Sequence, residues 1–435
     1  MLRGALALSL ACVAACSPAD EAPQLAPRDS GAVERIEATP VVDGAPPSDA
    51  LAQDVTPPTP DDGSSGSGEP EVGQPSADAS TQVRGAEDGP VGDATHDAVR
   101  DATAPSSLGT GNPNSTGLDR HDALYCGEWQ LTSKPGDTIY LVRGGKVVWS
   151  YSLSSPASDE FSDCAMMSNG HVVFSLKDTG AQEIVPDLQR GQGGAIVWRY
   201  NQDPKGEVHS VQPIGLDKVL VMQNGNNANR PKLLLIDKTK AAVCTSGAPC
   251  VDSTWFPDFG TGTHLLARHV RMLANGNLLL PYLGGKNPLE GHVVEYTRDW
   301  QIVWDYDSKA DPWAAVRLAN GHTLVSTSAS FREVTHDSPP KLVWQMTRAD
   351  FPPPGLHIGQ GMMRLANGNT LLANWNGNVA NTATWPTFAQ YWEVTPDKKI
   401  VWTVQSWLAP NLGPGSSIQA LDQPGLPENP ADFQR

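Results

Sequence analysis

From residue 121 onward the chain alternates short apolar runs with polar turn signals, and the alternation repeats. Five runs share one theme, two apolar residues and a tryptophan: Lys146-Val147-Val148-Trp149, Ala195-Ile196-Val197-Trp198, Gln301-Ile302-Val303-Trp304, Lys341-Leu342-Val343-Trp344 and Lys399-Ile400-Val401-Trp402. Their tryptophans stand 49, 106, 40 and 58 residues apart. The widest gap holds two units, one of which has lost its tryptophan near Lys232-Leu233-Leu234-Leu235-Ile236-Asp237. A second theme lies upstream of these runs: Met167-Ser168-Asn169-Gly170, Leu273-Ala274-Asn275-Gly276-Asn277, Leu318-Ala319-Asn320-Gly321-His322 and Leu365-Ala366-Asn367-Gly368-Asn369, with Ile214-Gly215-Leu216-Asp217 in the unit without tryptophan. A third, Val294-Glu295-Tyr296, Arg332-Glu333-Val334 and Trp392-Glu393-Val394, precedes the last three tryptophan runs.

Asn-Gly supplies the positive φ angles of a tight type I′ hairpin, so each unit begins as strand, turn and return strand. The Glu-containing strand and the tryptophan strand complete four antiparallel strands in roughly 50 residues, the signature of a propeller blade. Residues 121–435 hold about six such units, so the expected fold is all-β, a six-bladed β-propeller, with seven blades the less favoured count. Each tryptophan is expected to pack against the neighbouring blade. The ring is expected to close through the tail, Asn411-Leu412-Gly413-Pro414 to Ala420-Leu421, or through a strand around Trp129 to Leu131. Closure matters because an open blade leaves an unpaired edge.

The rest of the chain is compositionally different. Residues 17–120 contain no Phe, Tyr, Trp or Lys and carry 19 acidic residues against five arginines. Such a segment cannot bury enough apolar surface to offset ordering entropy of about 1–2 kcal/mol per residue, so it is expected to be a disordered acidic tether. Most of the formal charge of −17 resides there. The domain from 121 is nearly neutral, and no basic groove accompanies its tryptophans, which excludes a broad nucleic-acid role.

Residues 1–16 have Arg3, an apolar run from Ala5 to Ala15 and small residues before Cys16, the pattern of a secretory signal. Val13-Ala14-Ala15-Cys16 resembles the lipobox of bacterial lipoproteins, which implies lipidation of Cys16, a membrane anchor in the cell envelope and, because Ser17 is not aspartate, the outer membrane. With Cys12 in the signal and Cys16 lipidated, Cys126, Cys164, Cys244 and Cys250 remain, an even number that reads as two disulfides in an exported domain. Cys244 and Cys250 enclose five residues and are expected to pair, leaving Cys126 with Cys164.

Leu365-Ala366-Asn367-Gly368-Asn369-Thr370-Leu371, followed by Glu393-Val394-Thr395-Pro396-Asp397-Lys398-Lys399-Ile400-Val401-Trp402, resembles the repeat of bacterial arylsulfotransferase-like propellers and, more loosely, of quinoprotein-type propellers. The resemblance covers most of residues 127–404 and lies in blade-building positions. It implies six blades, an exported enzyme, and a histidine near the axis that accepts the sulfuryl group with help from further His and Arg. The quinoprotein alternative implies pyrroloquinoline quinone beside a vicinal disulfide. The chain has no adjacent cysteine pair, which puts that cofactor in doubt, and no cofactor is expected.

The first strand of each blade lines the channel. Six residues back from each hairpin turn stand Asp163, His209, His269, Ala314 and Gly361, with Trp313 and Gln360 one step further out. If the blades are equivalent, these meet at one level around the axis. His209 and His269 are therefore the candidate catalytic residues. Asp163, Arg268, Arg271, Trp313, Gln360 and His357 are candidate substrate contacts, with His264 a weaker addition. Guanidinium beside imidazole suits an anionic substrate, and imidazole can act as nucleophile or general base. Two histidines and Asp163 would also suit a transition metal, a lesser alternative; no metal is expected. Arg317 and Arg364 both sit three residues before their Asn. Zinc-protease, nucleophile-elbow, phosphate-loop and EF-hand motifs are absent from the sequence. Three functional classes follow: an envelope enzyme acting on a small anionic or phenolic substrate, a binding propeller for a small-molecule or glycan ligand or an envelope protein, and a scaffold of an envelope complex.

Overall fold

The computed structural model describes residues 109, 111–128, 138–153, 159–204, 206–225, 231–252, 266–284 and 290–432. Cys16, His264, the tether through residue 108 and the Trp129 to Leu131 segment lie outside the described residues. Six antiparallel blades form a propeller. Blade 1 holds β1 (Ala123–Gly127), β2 (Thr138–Arg143) and β3 (Lys146–Ser152). Blade 2 holds β4 (Phe161–Met166), β5 (Val172–Leu176), β6 (Gly180–Pro186) and β7 (Gly194–Asn201). Blade 3 has β8 (Glu207–Ile214), β9 (Lys218–Asn224) and β10 (Lys232–Asp237). After β11 (Val243–Thr245), blade 4 comprises β12 (Leu266–Ala267), β13 (Arg271–Met272), β14 (Leu278–Gly284), β15 (His292–Tyr296) and β16 (Ile302–Asp307). Blade 5 runs β17 (Pro312–Arg317), β18 (Thr323–Thr327), β19 (Ser330–Val334) and β20 (Leu342–Thr347). Blade 6 runs β21 (Ile358–Arg364), β22 (Thr370–Trp375), β23 (Tyr391–Val394) and β24 (Ile400–Val404). The tail closes the ring: β25 (Gly415–Ala420) pairs antiparallel with β1 and becomes the innermost strand of blade 1.

The hairpin theme folds differently from the type I′ expectation. Gly170, Gly276, Gly321 and Gly368 have φ of 81° to 87°, and the preceding asparagines are not at positive φ. The i to i+3 bond runs from Gly276 N to Leu273 O, and Leu273 N bonds Asn277 O. That is a turn followed by one left-handed glycine, the G1-bulge hairpin. The asparagine instead uses its side chain, Asn275 Oδ1 accepting from Asn277 N at 3.0 Å, and the same bond recurs at Asn169, Asn320 and Asn367.

The tryptophans do pack between blades. Trp149 lies in the core between blades 1 and 2, Trp198 between 2 and 3, Trp304 between 4 and 5, Trp344 between 5 and 6, and Trp402 between 6 and 1. The third theme explains itself beside them. Glu183, Glu295, Glu333 and Glu393 are each the direct cross-strand partner of a tryptophan. Each carboxylate then reaches a cation on the next blade: Glu183 with Lys238, Glu295 with Arg317 at 2.6 Å, Glu333 with Arg364 at 2.6 Å, and Glu393 with Arg120. Arg317 also stacks over Trp304 at 5.2 Å. Arg317 and Arg364 are thus blade-to-blade ties.

Blade 3, the unit without tryptophan, has three strands among the described residues. The chain leaves it as β11, which pairs in parallel with β7 at the outer edge of blade 2, and the Cys244–Cys250 disulfide staples this crossing. The expected Cys126–Cys164 disulfide is not formed. Both are thiols, buried in the apolar core between blades 1 and 2, where a cysteine serves as a small hydrophobe.

At the closing seam, His121 bridges two elements. Its Nδ1 lies 3.0 Å from Asp422 of the tail, and its Nε2 lies 3.2 Å from Glu393 of blade 6. Burial opposes its charge, but the bonds to Asp422 and Glu393 prevail and push its pKa up to about 9. A raised histidine pKa adds stability that is complete below about pH 6.5 and is lost as pH rises toward 9, on the order of 3 kcal/mol. Glu393 has the opposite sign: its pKa is held far below the carboxylate range, so its contribution disappears as pH falls below about 4.5. Urea unfolding should therefore show stability falling between pH 6.5 and 9, and His121→Gln should flatten that arm. Equal slopes in wild type and variant would remove the seam from this account.

Candidate axial site

The innermost strands break register at one level. In β4, Phe161 pairs Leu176 and Cys164 pairs Phe174, so Ser162 and Asp163 bulge opposite one residue. The same break releases His209 in β8, Trp313 in β17 and Gln360-Gly361 in β21. In blade 4 it splits the strand into β12 and β13, with Arg268 and His269 between them. Bulges re-aim side chains and interrupt the ladder. Asp163, His209, His269 and Gly361, each six residues back from its turn, lie in these breaks, while Ala314 is paired and its neighbour Trp313 bulges.

The ring holds two clusters. In the deeper one, completely buried Asp163 accepts from both Arg271 Nη atoms, at 3.0 and 3.3 Å, and from Val211 N at 3.2 Å. His269 Nδ1 lies 3.7 Å from Asp163 Oδ1 and 3.4 Å from Arg271 Nη2. His269 is held at φ 52°, a strained backbone state of the kind that clusters at functional positions. Below it is a cavity of about 10 Å³, room for roughly one water, lined by His269, Arg271, Gly361 and Ser417. The structure thus joins Asp163, His269 and Arg271, and commits Arg271 to Asp163.

The second cluster lies toward the end of the strands opposite the hairpins. His209 Nδ1 is 2.8 Å from Ser162 Oγ, and its Nε2 is 3.1 Å from Glu207. Burial first, and then the Arg268 charge, lower the His209 pKa to about 4, so its imidazole is neutral at pH 7. Arg268 lies 3.7 Å from Glu128 and stacks on Trp313 at 4.9 Å, and Trp313 meets Trp375 at 6.1 Å. Glu160 is bonded to Glu128 and, at 2.9 Å, to Lys177. Burial works against the charge on Glu160, but Glu128 and Lys177 hold its pKa below the usual range. A bond between two carboxyls requires one shared proton. The charges at this mouth are therefore close to balanced: Arg268 and Lys177 against Glu160 and Glu207.

Several buried polar atoms here find no hydrogen-bonding partner among the described residues: both amide atoms of Gln360 and of Asn376, Nδ2 of Asn224, and Nε1 of Trp313 and of Trp375. Such groups cost about 1–3 kcal/mol each when left unmade, and native proteins retain few of them without a use. The hairpin end of the channel is covered. Tail residues Leu426, Pro427, Asn429 and Pro430 lie over Gln212 and Arg271, tied down by Gly215 N to Glu428 O at 2.8 Å and Ser168 N to Glu428 Oε1 at 3.0 Å. At the other end Glu207 and Lys177 are partly exposed.

His357 stands apart from both clusters, half-buried on the loop into blade 6, with Nε2 2.5 Å from Asn378 and its ring against Phe388. Sequence reasoning missed Glu128, Glu160, Ser162, Glu207, Trp375 and Asn376. A usable signal existed for Glu128, Asn224 and Trp375-Asn376, since all four end or follow the second strand of a blade and so arrive at one mouth. Among the described residues no group of three or more His, Cys, Asp or Glu is arranged to hold a metal.

Gln360 offers a direct check. Replacing it with the apolar Gln360→Met should raise the stability of the unliganded protein by about 1–2 kcal/mol, because no bond to the described residues is lost. Urea denaturation showing a loss of more than 1 kcal/mol would mean that its amide is already satisfied.

No family model and no curated protein matches the chain. Similar solved structures include a protein of unknown function from Bacteroides caccae, with 19% identity and a TM-score of 0.50 over 68% of this chain and 97% of that one. They also include a calcium-binding protein, regucalcin, from Agrobacterium tumefaciens (10%, 0.41, 67% and 94%) and virginiamycin B lyase from Staphylococcus aureus (10%, 0.36, 64% and 86%). The likeness is one of fold: this chain is built as a six-bladed β-propeller.

Proposed function

We propose that this protein binds a small, neutral, polyhydroxylated ligand, a saccharide, at the axial mouth lined by Trp313, Trp375, Gln360, Asn376 and Arg268. The observation that carries the reading is the set of buried polar atoms, beside two indoles, that have no hydrogen-bonding partner among the described residues. Indole faces pack against the C–H faces of sugar rings, and a primary amide presents a donor and an acceptor spaced for neighbouring hydroxyls. Charge balance at the mouth favours a neutral ligand over an anion, since Arg268 and Lys177 are offset by Glu160 and Glu207. Titration with glucose, N-acetylglucosamine, maltose and cellobiose, read by tryptophan fluorescence, should give saturable quenching with at least one sugar. Trp313→Ala and Gln360→Ala should each weaken it tenfold or more. Binding confined to anions, or unchanged in both variants, would overturn the reading.

A second reading, aryl sulfate transfer, has one specific support: strained His269 flanked by Arg268 and Arg271. Against it, both ring nitrogens of His209 are engaged and Arg271 is committed to Asp163. Turnover of an aryl sulfate that disappears in His269→Ala would favour it.

The reading places the propeller in the bacterial envelope, anchored through lipidated Cys16 and held off the outer membrane by the tether. Labelled palmitate should be incorporated by wild type and not by Cys16→Ser. Equal labelling would exclude this anchor.

A further inference from the structure

We propose that Ser162 is a nucleophilic hydroxyl driven by His209 and Glu207, and that the axial site cleaves a small acyl ester carried on a polyhydroxylated compound. The ester's alcohol part rests on the saccharide reading above; the relay itself rests on its own geometry.

Three side chains stand in line: Ser162 Oγ to His209 Nδ1 at 2.8 Å, and His209 Nε2 to Glu207 Oε2 at 3.1 Å. A carboxylate can only accept, so Nε2 carries the proton and donates it to Glu207. In a neutral imidazole that leaves Nδ1 as the acceptor, facing the Ser162 hydroxyl. Hydroxyl, base and orienting carboxylate are the three roles of nucleophilic acyl transfer, recognised by geometry rather than by sequence order. Two features of the fold support the arrangement. Ser162 and His209 occupy the bulges of neighbouring inner strands, which turn them toward one another across the boundary between blades 2 and 3. Ser416 Oγ donates to Ser162 O at 2.7 Å, fixing the bulged backbone from the closing strand. Burial and Arg268 keep His209 neutral, the form a base requires.

In the first step Ser162 Oγ bonds to the ester carbonyl carbon, its proton passes to Nδ1, and the carbonyl electron pair moves onto oxygen. Collapse restores the carbonyl and breaks the bond to the alkoxy oxygen, which leaves as alcohol with the proton from Nδ1. Water then attacks the acyl-serine and gives its proton to Nδ1. Release of the carboxylic acid returns that proton to Ser162, and the sum is ester plus water to acid plus alcohol. The hydroxyl is buried, which restricts the acyl group to a small one such as acetyl.

The test uses the full chain with a fluorophosphonate probe and an acetylated glucose ester. Peptide mass spectrometry should place the label on Ser162, and Ser162→Ala should lose both label and hydrolysis. His209→Gln should lower the hydrolysis rate at least a hundredfold, and the partly exposed Glu207→Gln at least tenfold. The rate should also fall as pH drops through about 4, where His209 gains its proton. Absence of label from folded wild type, label on another residue, or full hydrolysis by Ser162→Ala would overturn the proposal. Sugar quenching in Ser162→Ala separates the two readings: if it persists without wild-type esterase activity, only the relay falls. Ser162 labelling without any sugar binding would leave the relay standing and remove the saccharide.

Discussion

A propeller is a ring, and a ring made from a linear chain has one seam. Here β25 supplies the innermost strand of blade 1, from the far end of the chain, and everything at the axis depends on that pairing. Ser416 and Gln419 of β25 bond to β4 of blade 2, and Gly361 of blade 6 comes so close to Ser416 that a side chain at that position would crowd its carbonyl. The seam is reinforced from outside by Glu393, which holds Arg120 and His121, and by Asp422, which holds His121 from the tail. Without closure, neither the Ser162 bulge nor the cover over the hairpin end would be held.

Four joints, between blades 2 and 3, 4 and 5, 5 and 6, and 6 and 1, share one repeated device. A glutamate opposite a tryptophan faces a cation on the next blade, so apolar burial and a charge-assisted bond act at the same spot. Blades 1 and 2 do without it, since Leu141 stands opposite Trp149, and their boundary is correspondingly the apolar one that buries Cys126 and Cys164. The ties draw on the inner strands only at their hairpin ends, through Arg317 of β17 and Arg364 of β21. Their bulges can then direct Asp163, His209, Arg268, His269, Trp313 and Gln360 toward the axis.

Much of this was legible in the sequence because blade building is periodic. The tryptophan interval gave the blade count, the missing tryptophan marked blade 3, where among the described residues the outer edge of β10 is met by a bridge from Val251 to Ile236, and the hairpin glycines fixed a common origin for counting into the channel. The hairpin type was misread because Asn-Gly serves two turns, and only the φ of Asn275 separates them. The Cys126–Cys164 pairing failed because an even number of cysteines says nothing about whether two buried thiols serve as packing. Glu160 and Ser162 were not legible: each is unremarkable in its local sequence, and each gains its meaning from a side chain on another blade. The same is true of Arg271, which looks like an anion ligand in sequence and is already held by Asp163 in the fold.

The central proposal is that the axial mouth receives a neutral polyhydroxylated ligand on its indoles and on amides that have no partner among the described residues. A crystal structure of the protein soaked with a sugar that quenches its fluorescence tests this most directly. The account predicts ring density against Trp313 or Trp375, with hydroxyls bonded to the Gln360 amide and to Asn376. Density for the sugar on a blade exterior, with the Gln360 amide bonded only to ordered water, would contradict it.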